Sequence, residues 1–394
     1  MNCSKLEKII FEEGANLITI NNSVFKNCSN LKNISFKNQK NLITIANDAF
    51  EGCSNLEMIS FCGSIKLESI SILSTIKYID EYGFYNCSKL ETILIPSLVE
   101  SIGNYSFYGC SYLINISFEE DSQLKSIGDY SFYGCSNLIN ISIQKQRNLK
   151  EIGEQSFYNC SNLERISFYE CTELKSISIP STIQYINDYG FYNCSKLENI
   201  SFEEKSNLQE IGDYSFYKCS NLINISIGEL SKLTIIGSFS FPYCINLTTI
   251  KLPSELKEIS SNLFKECSKL ESIIISSDIS KFEDFAFLNC SNLECFQYFG
   301  TKEPNISHNA FQGCPTLKYI YTNLIYYKET FGSFEVQKTS EQSYMCSSER
   351  SGLKDGEIAC IVIFSFIFIV IICVILFFTV FRRNKHNKEK ENTP

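Results

Sequence analysis

Histidine is almost missing from this chain: only His308 and His386 occur in 394 residues. A nucleophile–base pair needs a group titrating near pH 7, and neither histidine has a partner in view. His308 stands in I-S-H-N-A-F, where other stretches read G-D-Y-S-F, so it belongs to an exposed turn. The sequence also lacks C-x-x-C, H-E-x-x-H, the G-x-S-x-G elbow and a phosphate-binding glycine loop. These absences argue against an enzyme, a bound metal and a cofactor. Carboxylate groups such as Glu119-Glu120-Asp121 and Glu203-Glu204 read as solvated turns. Positive charge is scarce where it would matter for phosphate. The net charge is −9, and residues 382 to 394 contribute +3 through five Lys/Arg against two Glu. Residues 358 to 381 are uncharged, so residues 1 to 357 hold −12. An acidic body argues against nucleic acid as the partner.

Cysteine, by contrast, is abundant, with 19 residues. Thirteen form one ladder: Cys3, Cys28, Cys53, Cys87, Cys110, Cys135, Cys160, Cys194, Cys219, Cys244, Cys267, Cys290 and Cys314. Subtracting neighbouring numbers gives 23, 24 or 25 for every gap except Cys53 to Cys87 and Cys160 to Cys194, where it gives 34. A fixed period of this size means stacked repeats. The skeleton is C-S-x-L-x-x-I-x-[IF], a variable turn, then L-x-x-I-x-x-x-x-F-x-x-C. Alternation in L-x-x-I-x-I predicts a short strand with one buried face, and the second L-x-x-I returns the chain along the other side of the coil. Phe50, Phe107, Phe132, Phe157 and Phe216 should fill the middle of each coil. No coil can bury its apolar face alone, so stacking makes the core. Each of the two wide gaps holds an additional L-x-x-I-x-I-like segment, Leu67 to Ile72 and Leu174 to Pro180. The stretches that follow, 74 to 87 and 181 to 194, are nearly copies of each other at a numbering offset of 107, which predicts duplication of a multi-repeat block.

One ladder cysteine per coil suits a small buried hydrophobe, although stacked strand positions also lie within disulfide reach and metal binding is a third reading. Off the ladder, Cys62, Cys171 and Cys295 lie in or beside strands, Cys360 and Cys373 fall in the apolar run, and Cys346 is the candidate for an intermolecular bridge. Fifteen N-x-[ST] sequons occur, several of them N-C-S at the ladder, as at Asn86, Asn159 and Asn193.

The F-x-x-C-x-x-L-x-x-I-x-I-P pattern, with I-G-x-x-x-F in the return segment, resembles the BspA-like leucine-rich-repeat surface proteins over about residues 3 to 320. The resemblance implies a leucine-rich-repeat solenoid and, more loosely, adhesion. The expected fold is a parallel β-sheet on one face with short turns or helical segments on the other, plus one transmembrane helix. The expected domains are a solenoid over 1–330, a stalk over 331–357, a transmembrane helix over 358–381 and a basic tail over 382–394. The chain opens at Asn2-Cys3-Ser4-Lys5-Leu6, the middle of a unit, with no preceding Phe, cap or signal peptide, which predicts a truncated start.

Residues 358 to 381 are long enough for a helix to cross about 30 Å of hydrocarbon. Arg382 and Arg383 follow directly, then Lys385, Lys388 and Lys390. The positive-inside rule places that end in the cytoplasm and the repeats outside, a single-pass plasma-membrane protein. The competing topology is a tail anchor with cytosolic repeats. Strand alternation turns Asn33/Ser35, Asn115/Ser117, Asn140/Ser142, Asn199/Ser201 and Asn224/Ser226 away from the core, so they should line one polar sheet face, either a ligand face or a solvated one. A second stripe, Tyr105, Tyr108, Tyr130, Tyr133, Tyr214 and Tyr217, is a contact surface or inter-coil packing. The expected function is cell-surface binding of a protein or glycan outside the cell. The alternatives are a signalling or endocytic receptor working through a recruited partner, and an intracellular scaffold.

Overall fold

Each apolar L-x-x-I segment needs a partner for its backbone groups, and it finds one in the corresponding segment a turn later. The computed structural model describes residues 3 and 5–339, apart from 13, 14, 47, 48, 121, 228, 229 and 231. Residues 1–340 form one unit, and all of its regular structure consists of strands of two to six residues. No helix occurs among the described residues, so of the short turns or helical segments expected between strands only turns are found there. The run expected to span a membrane (358–381) and the expected tail with Arg382 and Arg383 lie outside the described residues, as do Cys346, Cys360 and Cys373. Among the described residues no helix is long and apolar enough to cross a membrane.

The strands fall on two lines, not one. On the first, Lys8–Ile10, Asn33–Ser35, Met58–Ser60, Tyr78–Ile79, Ser101–Ile102, Ser126–Ile127 and Glu151–Ile152 make a seven-stranded parallel sheet. Ser176–Ile179, Asn199–Phe202 and Asn224–Ile225 continue it, followed by the strands from Thr249–Leu252 to Tyr319–Asn323. The second line begins at Thr19–Ile20 and Thr44–Ile45 and passes through a bridge at Ser69 to Thr92–Ile95 and Asn115–Phe118. It goes on through Asn140–Ser142, Arg165–Ser167, Tyr185–Ile186, Glu210–Ile211 and Ile235–Ile236, and ends with Glu258–Ile259, Lys281–Phe282 and Asn305–Ile306. The return segments were expected to be only the back of the coil. They are strands too, because each lies in register beside its counterpart one turn away and pairs its backbone groups with it.

The chain crosses between the lines by legs of a few fixed lengths. A long leg, such as Ile127 to Ile141, carries the F-x-x-C corner. Short legs run as from Ile116 to Ile127 or, tighter still, from Ile93 to Ile102. One long and one short leg make a full turn, as from Ile116 to Ile141 or from Ile79 to Ile102, and these two turn lengths are the two common cysteine gaps. Each wide gap holds one long leg and two short ones, which is a turn and a half. The short pairs run Ile59–Ile70–Ile79 and Ile166–Ile177–Ile186, and the register confirms them: Ile79 pairs with Ile59, and Ile186 with Ile166. At each, the long legs move to the other side of the coil. Between Ile59 and Ile166 there are nine legs, an odd number, so the duplicated blocks present equivalent residues on opposite lines.

The core follows these shifts without a break. Phe11, Phe36 and Phe61 sit on short legs, yet their stack runs straight on into Phe84, Phe107, Phe132 and Phe157 of the long legs, with centroids 4.9 to 5.5 Å apart. On the other side Phe168 starts the stack that runs through Phe191, Phe216, Phe241, Phe264 and Phe287 to Phe311. The C-terminal end is closed by Phe334–Thr339, parallel to Tyr319–Asn323 and antiparallel to Thr330–Phe331. The solenoid thus extends past the expected boundary at 330. Phe334 and Val336 pack on the core and cover the last coil, a role the polar residues around them disguised in the sequence.

Candidate functional site

Outward-pointing polar residues behave as strand alternation requires. Ile34, Ile116, Ile141, Ile200 and Ile225 are buried, while Asn115, Ser117, Asn140, Ser142, Asn199, Ser201, Asn224 and Ser226 are exposed and Asn33 and Ser35 half-exposed. The structure does not bring all ten together. Asn33/Ser35, Asn199/Ser201 and Asn224/Ser226 lie on the first line; Asn115/Ser117 and Asn140/Ser142 lie on the second. The half-turn shift carries the C-S-x-L-x-x-I segment across the coil, and its polar residues go with it. The expected single face is therefore three shorter patches. Asn199 pairs in register with Asn224, and Ser178 with Ser201, so within a patch like residues stand side by side on adjacent coils.

The tyrosines are divided in the same way. Tyr82, Tyr105 and Tyr130 form one stack at 5.1 to 5.2 Å, and Tyr85, Tyr108, Tyr133 and Tyr158 a parallel one at 4.7 to 5.6 Å. Beyond the second shift Tyr189 and Tyr214 stack at 5.1 Å, and Tyr169, Tyr192 and Tyr217 at 5.1 to 5.4 Å, on the other side. These rings pack coil on coil, and Tyr82, Tyr158 and Tyr189 keep about two-fifths of their surface in water.

All thirteen ladder cysteines carry free thiols. Their role is more specific than filling space. Each thiol from Cys53 onward donates to a main-chain carbonyl one turn earlier: Cys135 Sγ to Phe107 O at 3.2 Å, Cys160 Sγ to Phe132 O at 3.0 Å. Ser64 takes the same place in a short leg, its hydroxyl donating to Phe36 O at 3.3 Å. Burial pushes the ladder thiol of Cys160 and the off-ladder thiol of Cys171 up to about 12, because desolvation disfavours the thiolate. Buried thiols raised in this way are unreactive. Among the described residues no group of three or more His, Cys, Asp or Glu is placed to hold a metal, and His308 is exposed.

Two recurring residues had no account from sequence. The residue before each ladder cysteine is often Asn or Gly because φ is positive there, +55° at Asn86 and +72° at Gly109. The N-C-S sequons thus arise from backbone geometry. Ser131, Ser156 and Ser240, each just before a core Phe, are buried and donate to a glycine carbonyl a turn earlier, as from Ser156 to Gly128 O at 3.1 Å. Spacing alone, a Ser fixed beside a core Phe, was the available signal.

Two strand lines, F-x-x-C corners and turns with the period of the cysteine ladder define the repeat. The BspA type Leucine rich repeat region matches it in six copies over residues 1–65, 59–170, 164–232 and 209–331. The chain belongs to this family. In this BspA-type solenoid the overlaps of the matched spans at 59–65 and 164–170 fall where the half-turn shifts begin. No curated protein matches. Among solved structures, a leucine-rich repeat protein from Bacteroides ovatus is 23% identical over 85% of this chain and 92% of its own, with a TM-score of 0.29. A leucine rich cell surface protein from Faecalibacterium prausnitzii is 21% identical, covering 80% and 87%, at 0.28. The pneumococcal vaccine antigen PcpA is 17% identical, covering 86% and 89%, at 0.38.

Proposed function

We propose that this BspA-type protein is a single-pass cell-surface binding protein, with its solenoid outside the cell and residues 382 to 394 in the cytoplasm. The carrying observation is the uncharged run from 358 to 381 ended by Arg382-Arg383. Such a pair resists translocation and holds its side in the cytoplasm. The binding role is supported by the exposed Asn/Ser patches and the half-exposed tyrosines, since stacked repeats offer long surfaces for a macromolecular ligand, here a protein or glycan. No catalytic role is proposed. The test places one epitope tag after Met1 and another after Pro394 and adds protease to intact cells. Loss of the first tag with survival of the second is expected. The reverse pattern, or protection of both until the membrane is opened, would identify an intracellular tail-anchored scaffold and overturn the proposal.

A further inference from the structure

The two half-turn shifts are copies of one another, and comparing them exposes a difference. Residues 58 to 85 correspond to 165 to 192 at an offset of 107. Ser60 matches Ser167, Tyr82 matches Tyr189 and Tyr85 matches Tyr192, but Cys62 matches Tyr169. At the second shift the Tyr169 ring lies flat on Tyr192, 5.4 Å away at 17°, and edge-on to Tyr189, 6.4 Å away at 75°. It starts the tyrosine stack, and Ser167 in the strand just before it is only 4% exposed.

At the first shift that ring is missing. Among the described residues Tyr85 meets rings only at Tyr82, edge-on, and at Tyr108, on the later coil. Ser60 is half-exposed where Ser167 is buried. Here the surface opens into a groove of about 850 Å³ lined by Ser35, Ser60, Cys62, Asp80, Tyr82 and Tyr85. Cys62 contributes a half-buried free thiol to this lining, and Lys37 and Glu81 also line the groove.

We infer that this groove is a subsite for an aromatic side chain, Tyr or Phe, of a protein ligand, seated on Tyr85 where Tyr169 sits in the duplicated copy. The inference deepens the binding reading above and rests on it only for the ligand being a macromolecule. The occupant follows from the geometry: in the duplicated copy the seat holds a ring that lies flat on one tyrosine and is steeply inclined to another. A planar aromatic, with a negative face and positive edge, satisfies both. A sugar ring has C–H groups to lay on the face of Tyr85 but cannot make the steeply inclined ring–ring contact that Tyr169 makes with Tyr189. The second shift shows that a phenol ring fits this backbone.

The test uses the full chain and p-cresol as probe, followed by saturation-transfer NMR, with methyl β-glucoside as the competing chemistry. Wild type should bind p-cresol weakly, in the millimolar range expected of so small a ligand. Cys62→Tyr, which fills the seat, should lower affinity at least tenfold while raising thermal stability. Cys62→Ala should keep binding, because the open seat and not the thiol is the site. Tyr169→Cys should create a second binding equivalent at the other shift, with near-UV circular dichroism checking that the solenoid is intact. Equal binding by wild type and Cys62→Tyr, or stronger saturation of the glucoside than of p-cresol, would overturn the inference. None of these results depends on which side of a membrane the solenoid faces, so failure here is distinct from failure of the topology.

Discussion

Replacing Phe132 by Ala removes one ring from the middle of a continuous stack. Phe132 is fully buried, 5.1 Å from Phe107 and 5.5 Å from Phe157. Full burial of a Phe side chain is worth about 1.5 to 3 kcal/mol in transfer terms. A cavity penalty adds to this, since backbone bonds tie each coil to the next: Phe107 N–H donates to Ser131 O at 2.7 Å, and Phe132 N–H to Ser156 O at 2.8 Å. These backbone bonds keep the neighbouring turns from collapsing into the gap. Measured Phe→Ala changes in cores cost about 3 to 5 kcal/mol, and the upper half of that range is expected here. Unfolding should be followed in denaturant, with the slope checked, because a repeat array can lose a few coils without losing all. Amide exchange should accelerate at Phe107 and Phe132 before it does so at Phe264. A change of under about 1 kcal/mol, with those amides still protected, would refute the view that the phenylalanine stacks carry the fold.

Gly128→Ala should destabilise far more than Gly134→Ala: a Cβ on Gly128 would lie 2.6 Å from Asn104 N and 2.8 Å from Gly103 C, backbone atoms that cannot yield. About 3 kcal/mol or more is expected for it against about 1 for Gly134, whose φ of +73° is strained for Ala but whose nearest atoms are 3.9 Å away; equal melting temperatures would contradict this. Stability should fall as pH rises above 9. The unfolded chain ionises its thiols near their ordinary 9.0, while burial holds Cys160 and Cys171 neutral to about 12. The thiol contribution is therefore complete below pH 9 and lost on the way to 12, and a denaturant midpoint that falls no less steeply in a Cys160→Ala, Cys171→Ala double variant would show that other groups are responsible. Cys135→Ser should cost less than Cys135→Ala, because Ser64 already makes the equivalent bond to a carbonyl; the reverse order in thermal unfolding would mean that the position wants only an apolar atom.

Several features were readable from the residues one at a time. The Phe three places before each ladder cysteine is core, the ladder thiols are free, and Ile alternates with exposed Asn and Ser, all because a side chain's burial in a stacked coil is set by its place in the local motif. The aromatic stripe was open between contact surface and packing; the stacks show the packing, and Tyr85 beside Cys62 shows where a stack stops. The ligand patches were read as one face because the motif looks the same whichever side of the coil it occupies. Nothing within C-S-N-L-I-N-I-S-F distinguishes Asn115 from Asn199.

The sequence by itself determined the repeat, the register of its buried positions and the existence of two irregular gaps, since these depend on residue type and spacing. What only the tertiary structure decided is which side of the coil each copy faces. That depends on counting legs: Ile59, Ile70 and Ile79 are three successive strand positions, and the pairing of Ile79 with Ile59 returns the chain to its first line half a turn out of step. Strand pairing joins segments a whole turn of chain apart, so the side is a property of the whole path and of no single motif. The same holds for the groove at Cys62. A cysteine in place of a tyrosine is a local difference, but it becomes an opening only because the half-turn shift sets Tyr82 and Tyr85 beside it.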